Sequence, residues 1–198
     1  MSKFIRTSSR EIYRNPWLTF EVHQIVHPNG AAGEHGLVVP PLASGVVVVD
    51  GSDVFLTRQE RFGIDRSVLE IVKGGAGAGE SALACAQRET REELGIRARS
   101  WEPMGIIYEI PSILAGPIHL FLAREVETVD QELEHVEQIS IERLPIAAVL
   151  EAIVRGDIND AVTAAALFRA AVRLGLVRLK PAISESRSTD VRVDRAHD

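Results

Sequence analysis

The chain has 198 residues, of which 45% are hydrophobic and 25% are charged, a composition typical of one globular domain. Its formal net charge of −6 argues against a protein that binds a nucleic-acid backbone, because such proteins normally present a basic face. No apolar run reaches the roughly 20 residues of a membrane-spanning helix, and the first residues lack the apolar core of a signal peptide. We therefore expect neither nucleic acid nor membrane as a partner.

The single cysteine, Cys85, excludes an internal disulfide and makes a reducing cytoplasm the expected location. It lies between two alanines in a helical run, and its neighbours give no sign that the thiol is activated. We therefore expect Cys85 to be a packing residue rather than a nucleophile.

Residues 1–35 are predicted to form a β-ribbon. Residues 12–14 form a short strand, an Asn-Pro pair turns the chain, and residues 18–26 alternate apolar and polar side chains with the period of a strand. The sequence HPNG at 27–30 then closes a hairpin. Such a ribbon is a candidate for dimer contacts, although a simple edge hairpin fits the same pattern.

Residues 36–180 are predicted to form one α/β domain. Three strands come first, SGVVVVD, DVFLTRQ and SVLEIVK, and the four successive valines indicate a strand buried on both faces. A helix over residues 80–94 follows and ends at a glycine. Two strands, an acidic loop, another strand and two helices come next, the last helix capped by Asn159 or Asp160. This order predicts a mixed sheet between helices, and the polar residues 181–198 are predicted to be disordered.

The glycine-rich segment GGAGAGES, residues 74–81, has the spacing of a phosphate-binding P-loop. Gly74, Gly79 and Ser81 match G-x-x-x-x-G-K-[ST], but Glu80 stands where the lysine is required. A carboxylate in that position would face phosphates that need a cation. The segment therefore argues against a P-loop phosphotransferase, and its glycines indicate a tight loop that brings the backbone close to a ligand.

Three carboxylates converge on one face of the helix that follows this loop. Glu89 and Glu93 are four residues apart and Glu92 is three past Glu89, so they lie near one end of a face otherwise lined by alanines. One interpretation is a solvated face in which Arg88 pairs with Glu92. The other is a site for a hard cation such as Mg²⁺, which carboxylate oxygens suit. The adjoining glycine loop favours the cation site.

The same segment resembles the Nudix box, G-x5-E-x7-R-E-U-x-E-E-x-G-U, in which U is an aliphatic residue. Eight of the nine specified positions match, namely Gly74, Glu80, Arg88, Glu89, Glu92, Glu93, Gly95 and Ile96. The departure is Thr90 in the first U position, where we expect a packing cost rather than lost chemistry. The resemblance implies a Nudix-type α/β/α sandwich with a mixed sheet, here preceded by the β-ribbon.

Further segments resemble the ADP-ribose pyrophosphatase branch of this family. They are YRNPWL, RQERFGI, LEIVKGG, HLFLA and INDAVTAAAL, together with Pro111 at 16 residues past Gly95. The KGG sequence is most similar to bacterial hydrolases of ADP compounds, and the likeness covers about residues 9–175. It implies metal-dependent hydrolysis of a nucleoside diphosphate linked to another moiety, such as ADP-ribose, NADH or a diadenosine polyphosphate, with release of AMP.

The resemblance also implies a role for each matching residue. The expected ligands for Mg²⁺ or Mn²⁺ are Glu89 and Glu93, Glu92 as a further or shared ligand, and the carbonyl of Lys73. Arg88 is expected to orient these glutamates, because a guanidinium that stays protonated is a poor acid or base. Glu80 is expected to brace the loop.

A general base is also needed, and in this branch it comes from an acidic loop after the box. Here that loop is DQELEHVEQI, in which Glu137 fits the branch pattern best, with Glu134 and Glu132 as alternatives. His135 could serve on its ordinary pKa, although a lone loop histidine is more often incidental. The implied catalytic set is Glu92, Glu93, Glu137 and Arg88.

Substrate contacts are expected from segments beside the box. Arg61 matches the arginine of the branch and could bind a phosphate through two hydrogen bonds, or lie at the surface where a strand ends. The other expected contacts are Gly74, Gly75 and Pro111. Four aromatic residues could stack on adenine, although each fits the core or an interface as well, namely Tyr13, Trp17, Phe20 and Tyr108.

Two functions fit these residues. The first is a metal-dependent hydrolase that acts on a small nucleotide and forms a homodimer through the N-terminal ribbon. The second is a Nudix-fold sensor or regulator that binds such ligands without cleaving them. Such sensors usually lose glutamates of the box. Because this chain keeps all of them, the hydrolase is favoured.

Overall fold

The computed structural model describes residues 3–131 and 138–180 of the chain. The tail that is predicted to be disordered, residues 181–198, lies outside these described residues. Within them the chain forms a small N-terminal sheet and a larger central sheet that is flanked by three helices. None of the helices in this part of the chain is long and apolar enough to cross a membrane.

The N-terminal sheet contains three antiparallel strands, β1 (Ile5–Arg14), β2 (Thr19–Val26) and β3 (Ala32–Val39). The β1 strand is longer than predicted, because its ladder with β2 continues along the whole strand. The predicted turn at 27–30 is present, and the N–H of Gly30 donates to the carbonyl of His27 at 2.8 Å. The predicted domain boundary after residue 35 lies inside β3.

The central sheet has seven strands around one parallel pair. They are β4 (Ala43–Asp50), β5 (Asp53–Arg61), β6 (Arg66–Glu70), β7 (Val72–Gly75), β8 (Ile96–Ile107), β9 (Ile118–Thr128) and β10 (Ile139–Pro145). The order along the sheet is β10-β5-β4-β9-β8, in which β4 and β9 are parallel and the other neighbours are antiparallel. The prediction of a mixed sheet is confirmed.

Helices cover both faces of this sheet. They are α1 (Ala82–Leu94), α2 (Ile146–Arg155) and α3 (Ala161–Arg173). Val46 and Val48 of β4 pack in the cluster under α1. Val47 and Val49 pack in the opposite cluster, with α2 and α3. Each buried valine stabilises the fold by about 1.5–3 kcal/mol, so the valine run holds the three layers of the predicted sandwich together.

Two central strands diverge and make room for the segment that carries the glycine loop. The strands β4 and β5 pair only over residues 48–50 and 53–55. Beyond that point β6 pairs with the rest of β5, and β7 pairs with the start of β4. The chain thus crosses from one strand to the other, with Ile71 at the step, and reaches the glycine loop beside α1.

The N-cap of helix α3 is Asp160, one of the two residues predicted to cap it. The Asp160 carboxylate accepts hydrogen bonds from the N–H of Thr163 at 2.8 Å and from its hydroxyl at 2.6 Å. Loss of such a cap costs about 1 kcal/mol. The cap provides a partner for a backbone N–H in the first turn of α3.

Candidate active site

The helix α1 is fixed at both ends by its flanking residues. Ser81 is its N-cap, and the Ser81 hydroxyl accepts a hydrogen bond from the N–H of Ala84 at 3.2 Å. Gly95 ends the helix at φ 61°, and its N–H donates to the carbonyl of Arg91 at 2.9 Å. A Cβ at Gly95 would also lie 2.7 Å from the carbonyl oxygen of Val129. Both conformation and space therefore require glycine there.

Arg88 is the centre of a cluster of carboxylates on this helix. Its Nε and Nη2 donate to the two oxygens of Glu80 at 3.0 and 2.9 Å. Its Nη1 donates to both Glu89 and Glu92 at 2.8 Å, and Nη2 also donates to the carbonyl of Gly75 at 2.9 Å. The hydrogen bonds with Glu80 are the largest cause that raises the pKa of Arg88. Arg88 therefore stays protonated and ties the helix to the glycine loop.

Glu80 connects the same loop to α1. Its Oε2 accepts a hydrogen bond from the N–H of Gly77 at 2.8 Å, in addition to the bonds from Arg88. The hydrogen bonds from Arg88, followed by the one from Gly77, lower the pKa of Glu80 below its ordinary value. The carboxylate is therefore ionised at neutral pH, in the position where a P-loop would require a lysine.

Gly74 leaves room for the carboxylates. A Cβ built on Gly74 would lie 1.9 Å from the carboxyl carbon of Glu89, so a larger residue would displace that side chain. The carbonyl of Gly74 accepts a hydrogen bond from the thiol of Cys85 at 3.4 Å. Cys85 is fully buried, and burial raises the pKa of its thiol. These features fit the packing role predicted for Cys85.

Three carboxylates, those of Glu80, Glu89 and Glu92, accept hydrogen bonds from the guanidinium of Arg88, and Glu93 follows Glu92 on the same helix. Glu93 is 3% exposed, and the side chains of Glu89 and Glu92 are 13% and 24% exposed. Carboxylate oxygens are preferred ligands of Mg²⁺ and Mn²⁺, so the donor set fits such an ion. Within residues 3–131 and 138–180, no three acidic, histidine or cysteine side chains converge on one metal position. A metal ion would therefore compete with Arg88 for the oxygens of Glu89 and Glu92.

Thr90, the departure from the box, lies on the buried side of α1. Its side chain is fully buried, and its hydroxyl donates to the carbonyl of Ala86 at 2.7 Å. This bond to the preceding turn satisfies the hydroxyl group that an aliphatic residue would lack. Thr90 and Arg88 lie on opposite sides of the helix, so the departure does not alter the carboxylate cluster.

Arg61 binds a carboxylate of the protein itself. Its Nε donates to Oε2 of Glu70 at 2.9 Å, and its Nη2 donates to the same oxygen at 2.5 Å. Glu70 is 3% exposed and also accepts a hydrogen bond from Nζ of Lys73 at 3.1 Å. Arg61 therefore has a structural partner, and its contact with a substrate phosphate stays a prediction.

Several residues predicted to bind substrate or act as the general base lie away from this cluster or outside residues 3–131 and 138–180. Pro111 lines a cavity of about 510 Å³ beside the N-terminal sheet, together with His23 and His35. Tyr13, Trp17 and Tyr108 are exposed, and Phe20 is partly buried. The four candidates for the general base lie outside the described residues, namely Glu132, Glu134, His135 and Glu137. The roles of all these residues stay predictions.

Asp160 is a residue of this region that the sequence did not indicate beyond its capping role. Its Oδ1 lies 3.0 Å from Nζ of Lys73. This ion pair joins the start of α3 to the residue whose carbonyl is an expected metal ligand. The two residues are far apart in the chain, and no local spacing predicts their contact.

Two family models match the chain, one after the other. The model described as nucleoside diphosphate sugar hydrolase N-terminal domain matches residues 5–38, which contain the N-terminal sheet. The model described as NUDIX domain matches residues 39–162, more than half of the chain. The second match includes the carboxylate cluster and the glycine loop.

Two similar proteins match most of this chain and most of their own length. ADP-ribose pyrophosphatase of Bacillus subtilis (strain 168) is 26% identical over 163 residues, which are 81% of this chain and 88% of that protein. The ADP compounds hydrolase NudE of Escherichia coli (strain K12) is 24% identical over 159 residues, which are 79% of this chain and 86% of that protein.

A solved structure has the same fold. The crystal structure of an ADP compounds hydrolase matches with a TM-score of 0.77 at 23% identity, over 89% of this chain and 97% of that one. The predicted fold class is confirmed by this match. The predicted family is confirmed by the domain matches: the chain belongs to the Nudix family, as a pyrophosphohydrolase similar to ADP-ribose pyrophosphatase.

Proposed function

We propose that this protein hydrolyses the pyrophosphate of an ADP-linked compound, with ADP-ribose as the first candidate, and releases AMP. NADH and diadenosine polyphosphates are further candidates. The observation that carries the proposal is the excess of carboxylates around Arg88 at the end of the glycine loop. The ADP-linked substrate class is supported by the names of the relatives, ADP-ribose pyrophosphatase and ADP compounds hydrolase.

Glu89, Glu92 and Glu93, with the carbonyl of Lys73, would hold Mg²⁺ or Mn²⁺. When bound, the ion would neutralise phosphate charge and lower the pKa of a bound water. Arg88 keeps the carboxylates in place through Nη1. Because it also donates to Glu80 and to the Gly75 carbonyl, Arg88 can release Glu89 and still hold the loop.

Space for an anionic ligand lies next to this cluster. A cavity of about 360 Å³ adjoins Arg88 and Glu92 and is also lined by Arg91, Arg97 and Trp101. Guanidinium groups bind phosphate oxygens through paired hydrogen bonds, and an indole can stack on a base. The lining therefore suits part of a nucleotide beside Glu92, the one carboxylate of the cluster that lines this cavity.

Glu137 is our proposed general base. It would take a proton from the attacking water as the water oxygen bonds to one phosphorus. The bond from that phosphorus to the bridging oxygen then breaks, and with ADP-ribose both products leave as phosphate monoesters. Glu134→Gln and Glu132→Gln are matched controls from the same loop. Only Glu137→Gln should lower kcat by about 100-fold or more.

A substrate panel tests the proposal. The protein is incubated with Mg²⁺ and ADP-ribose, NADH, diadenosine triphosphate, GDP-mannose or CoA, and release of a nucleoside monophosphate is measured. We expect AMP from ADP-ribose at the highest kcat/KM of the panel. An absence of turnover with every member would overturn the proposed activity, and a preference for GDP-mannose or CoA would overturn the proposed substrate class.

We also propose that the protein is located in the cytoplasm. There it would form a homodimer through the N-terminal sheet. The strand β1 is exposed along its whole length, and Ile5 and Tyr13 are 60% and 55% exposed. These exposed apolar side chains support an interface on β1. Light scattering after size exclusion checks it, and a mass near the 21.7 kDa of one chain would contradict it.

A further inference from the structure

The strand that leads into the glycine loop is held from both of its faces. Side chains along a strand point alternately to opposite faces. On β7, Gly74 therefore faces Glu89 of α1, while Lys73 faces the start of α3. The Nζ of Lys73 lies 3.0 Å from Oδ1 of Asp160 and 3.1 Å from Oε1 of Glu70. The side chain of Lys73 is only 16% exposed, so water screens these contacts weakly.

A second contact joins the chain just before β7 to the start of α3. The N–H of Ile71, at the step between β6 and β7, donates to the hydroxyl of Thr163 at 3.0 Å. That hydroxyl in turn donates to Oδ2 of Asp160 at 2.6 Å, and Thr163 is fully buried. Asp160 thus contacts Lys73 through one carboxylate oxygen and Thr163 through the other. The backbone of 71–73 is therefore fixed at two points against α3.

The charges in this group balance. Two cations, Arg61 and Lys73, face two carboxylates, Glu70 and Asp160. Burial by itself would raise the pKa of Asp160, but the charge of Lys73 and the hydrogen bonds from Thr163 hold it below its ordinary value. The carboxylate of Asp160 is therefore ionised at neutral pH, and it forms one of the two anion–cation pairs of this group.

We propose that Lys73 and Asp160 are positioning residues for the metal site. Their ion pair fixes β7 to the start of α3 and so sets where the main-chain carbonyl of Lys73 lies relative to the carboxylates of α1. The inference rests on the proposed function, since this carbonyl is a ligand only if a metal ion binds there. The ligand atom belongs to the backbone, so changes to the Lys73 side chain leave it in the protein.

The direction in which Lys73→Met changes the affinity for Mn²⁺ distinguishes a positioning role from simple electrostatics. Lys73→Met removes a positive charge close to the metal site. Coulomb attraction alone would then make Mn²⁺ bind more tightly. Positioning predicts the opposite, a dissociation constant raised by about tenfold, as is common when a group that orients a ligand is lost. Electron paramagnetic resonance of free Mn²⁺ measures this constant without any substrate.

Asp160→Asn tests the other partner. Asparagine caps helices about as well as aspartate, so this variant removes the charge and keeps the start of α3. We expect Mn²⁺ to bind about tenfold more weakly. In the double variant with Lys73→Met, the loss should be no larger than in the more affected single variant, because the same contact is broken. Asp157→Asn, an exposed aspartate in the turn before α3, is the matched control and should bind Mn²⁺ as the wild type does.

The outcomes distinguish this inference from the proposed function. A wild-type protein that binds no Mn²⁺ and hydrolyses no member of the substrate panel overturns both. A wild-type protein that binds and hydrolyses, with Mn²⁺ affinity unchanged or tighter in Lys73→Met, overturns the positioning role alone. Should Lys73→Met not fold by circular dichroism, Asp160→Asn decides, and an affinity equal to that of Asp157→Asn overturns the inference.

Discussion

Two groups of charged side chains lie on the two faces of β7, and they differ in their balance of charge. On the α1 side, Glu80, Glu89 and Glu92 accept hydrogen bonds from Arg88, and Glu93 follows Glu92 on the same helix. On the α3 side, Arg61 and Lys73 are matched by Glu70 and Asp160. The first group retains an excess of negative charge, whereas the second is neutral. The comparison separates residues that can attract a cation from residues that hold the backbone in place.

The unbalanced group costs free energy in the absence of a ligand, because like charges in a partly buried site repel each other. An excess of this kind is typical of functional sites rather than of stabilising ion pairs. The balanced group has the composition of a structural network, and breaking it would leave a buried charge without its partner. The predictions below test this difference in order of expected effect.

The largest effect should follow from removing one carboxylate of the unbalanced group. Glu93→Gln should lower kcat/KM by about 100-fold or more, because it removes a side chain that we propose as a main metal ligand. The midpoint of thermal unfolding without metal should change by less than about 2 °C, since relief of repulsion offsets lost contacts. Hydrolysis assays and melting curves measure both. Glu151→Gln on α2 is the control, because that side chain is 75% exposed. Full activity in Glu93→Gln would overturn the metal assignment.

The next effect should follow from removing the guanidinium of Arg88. Arg88→Met should destabilise the metal-free protein by about 1–2 kcal/mol, a value reduced because the side chain is 35% exposed to screening water. For a chain of this size the unfolding midpoint would fall by about 3–6 °C.

Addition of Mg²⁺ should restore part of this loss, because the ion replaces the missing cation among the carboxylates. Arg143→Met, which breaks surface ion pairs with Asp50 and Asp53, is the control and should not respond to Mg²⁺. Calorimetry with and without Mg²⁺ measures the shift. An equal Mg²⁺ response in Arg88→Met and Arg143→Met would contradict the shared site.

The contribution of Glu80 to the free energy of unfolding should depend on pH. Its folded-state pKa lies below the ordinary value of 4.5, so its contribution to stability is present above pH 4.5 and disappears as the pH falls through the lower folded value. Glu80→Gln lacks this contribution. The free energies of unfolding of the wild type and of Glu80→Gln should therefore differ at pH 7 and converge in acid. Denaturant titrations at several pH values measure this, and a constant difference would contradict it.

The smallest effect is expected on the buried side of α1, away from both groups. Thr90→Val replaces a buried hydroxyl by a methyl group, and the carbonyl of Ala86 keeps its place in the helix. The unfolding free energy should rise by about 0.5 kcal/mol, which is about 1–2 °C in the midpoint. Thr90→Ser keeps the hydroxyl and loses the methyl, so its midpoint should fall. A lower midpoint for Thr90→Val would show that the bond to Ala86 outweighs the added apolar contact.

The unbalanced group could be predicted from the sequence because its members are neighbours in the chain. Glu89, Glu92 and Glu93 share a helix face by their spacing alone, and the glycine loop directly precedes them. The contact between Arg88 and Glu92 follows from the same i, i+4 spacing. Periodicity within one helix was therefore sufficient to predict that Glu92 lies beside Arg88.

The balanced group could not be predicted in this way. Its residues come from β5, β6, β7 and α3, and their contacts depend on how β4 and β5 diverge. The motif around Arg61 indicated a phosphate ligand, but nothing in the local sequence indicated Glu70 as its partner. Likewise, capping chemistry placed Asp160 at the start of α3 and gave no sign of Lys73. Contacts between distant elements require the fold itself.

The close approach of Glu89 to Gly74 has a practical consequence. Alanine there would place its Cβ 1.9 Å from the carboxyl carbon of Glu89. Gly74→Ala therefore disturbs the arrangement of the cluster while all its carboxylates and its arginine remain in the protein. A slow enzyme with an unchanged set of charged groups is a suitable reagent for trapping the uncleaved nucleotide in a crystal. A crystal structure of Gly74→Ala with its bound nucleotide would then identify the compound that this protein recognises.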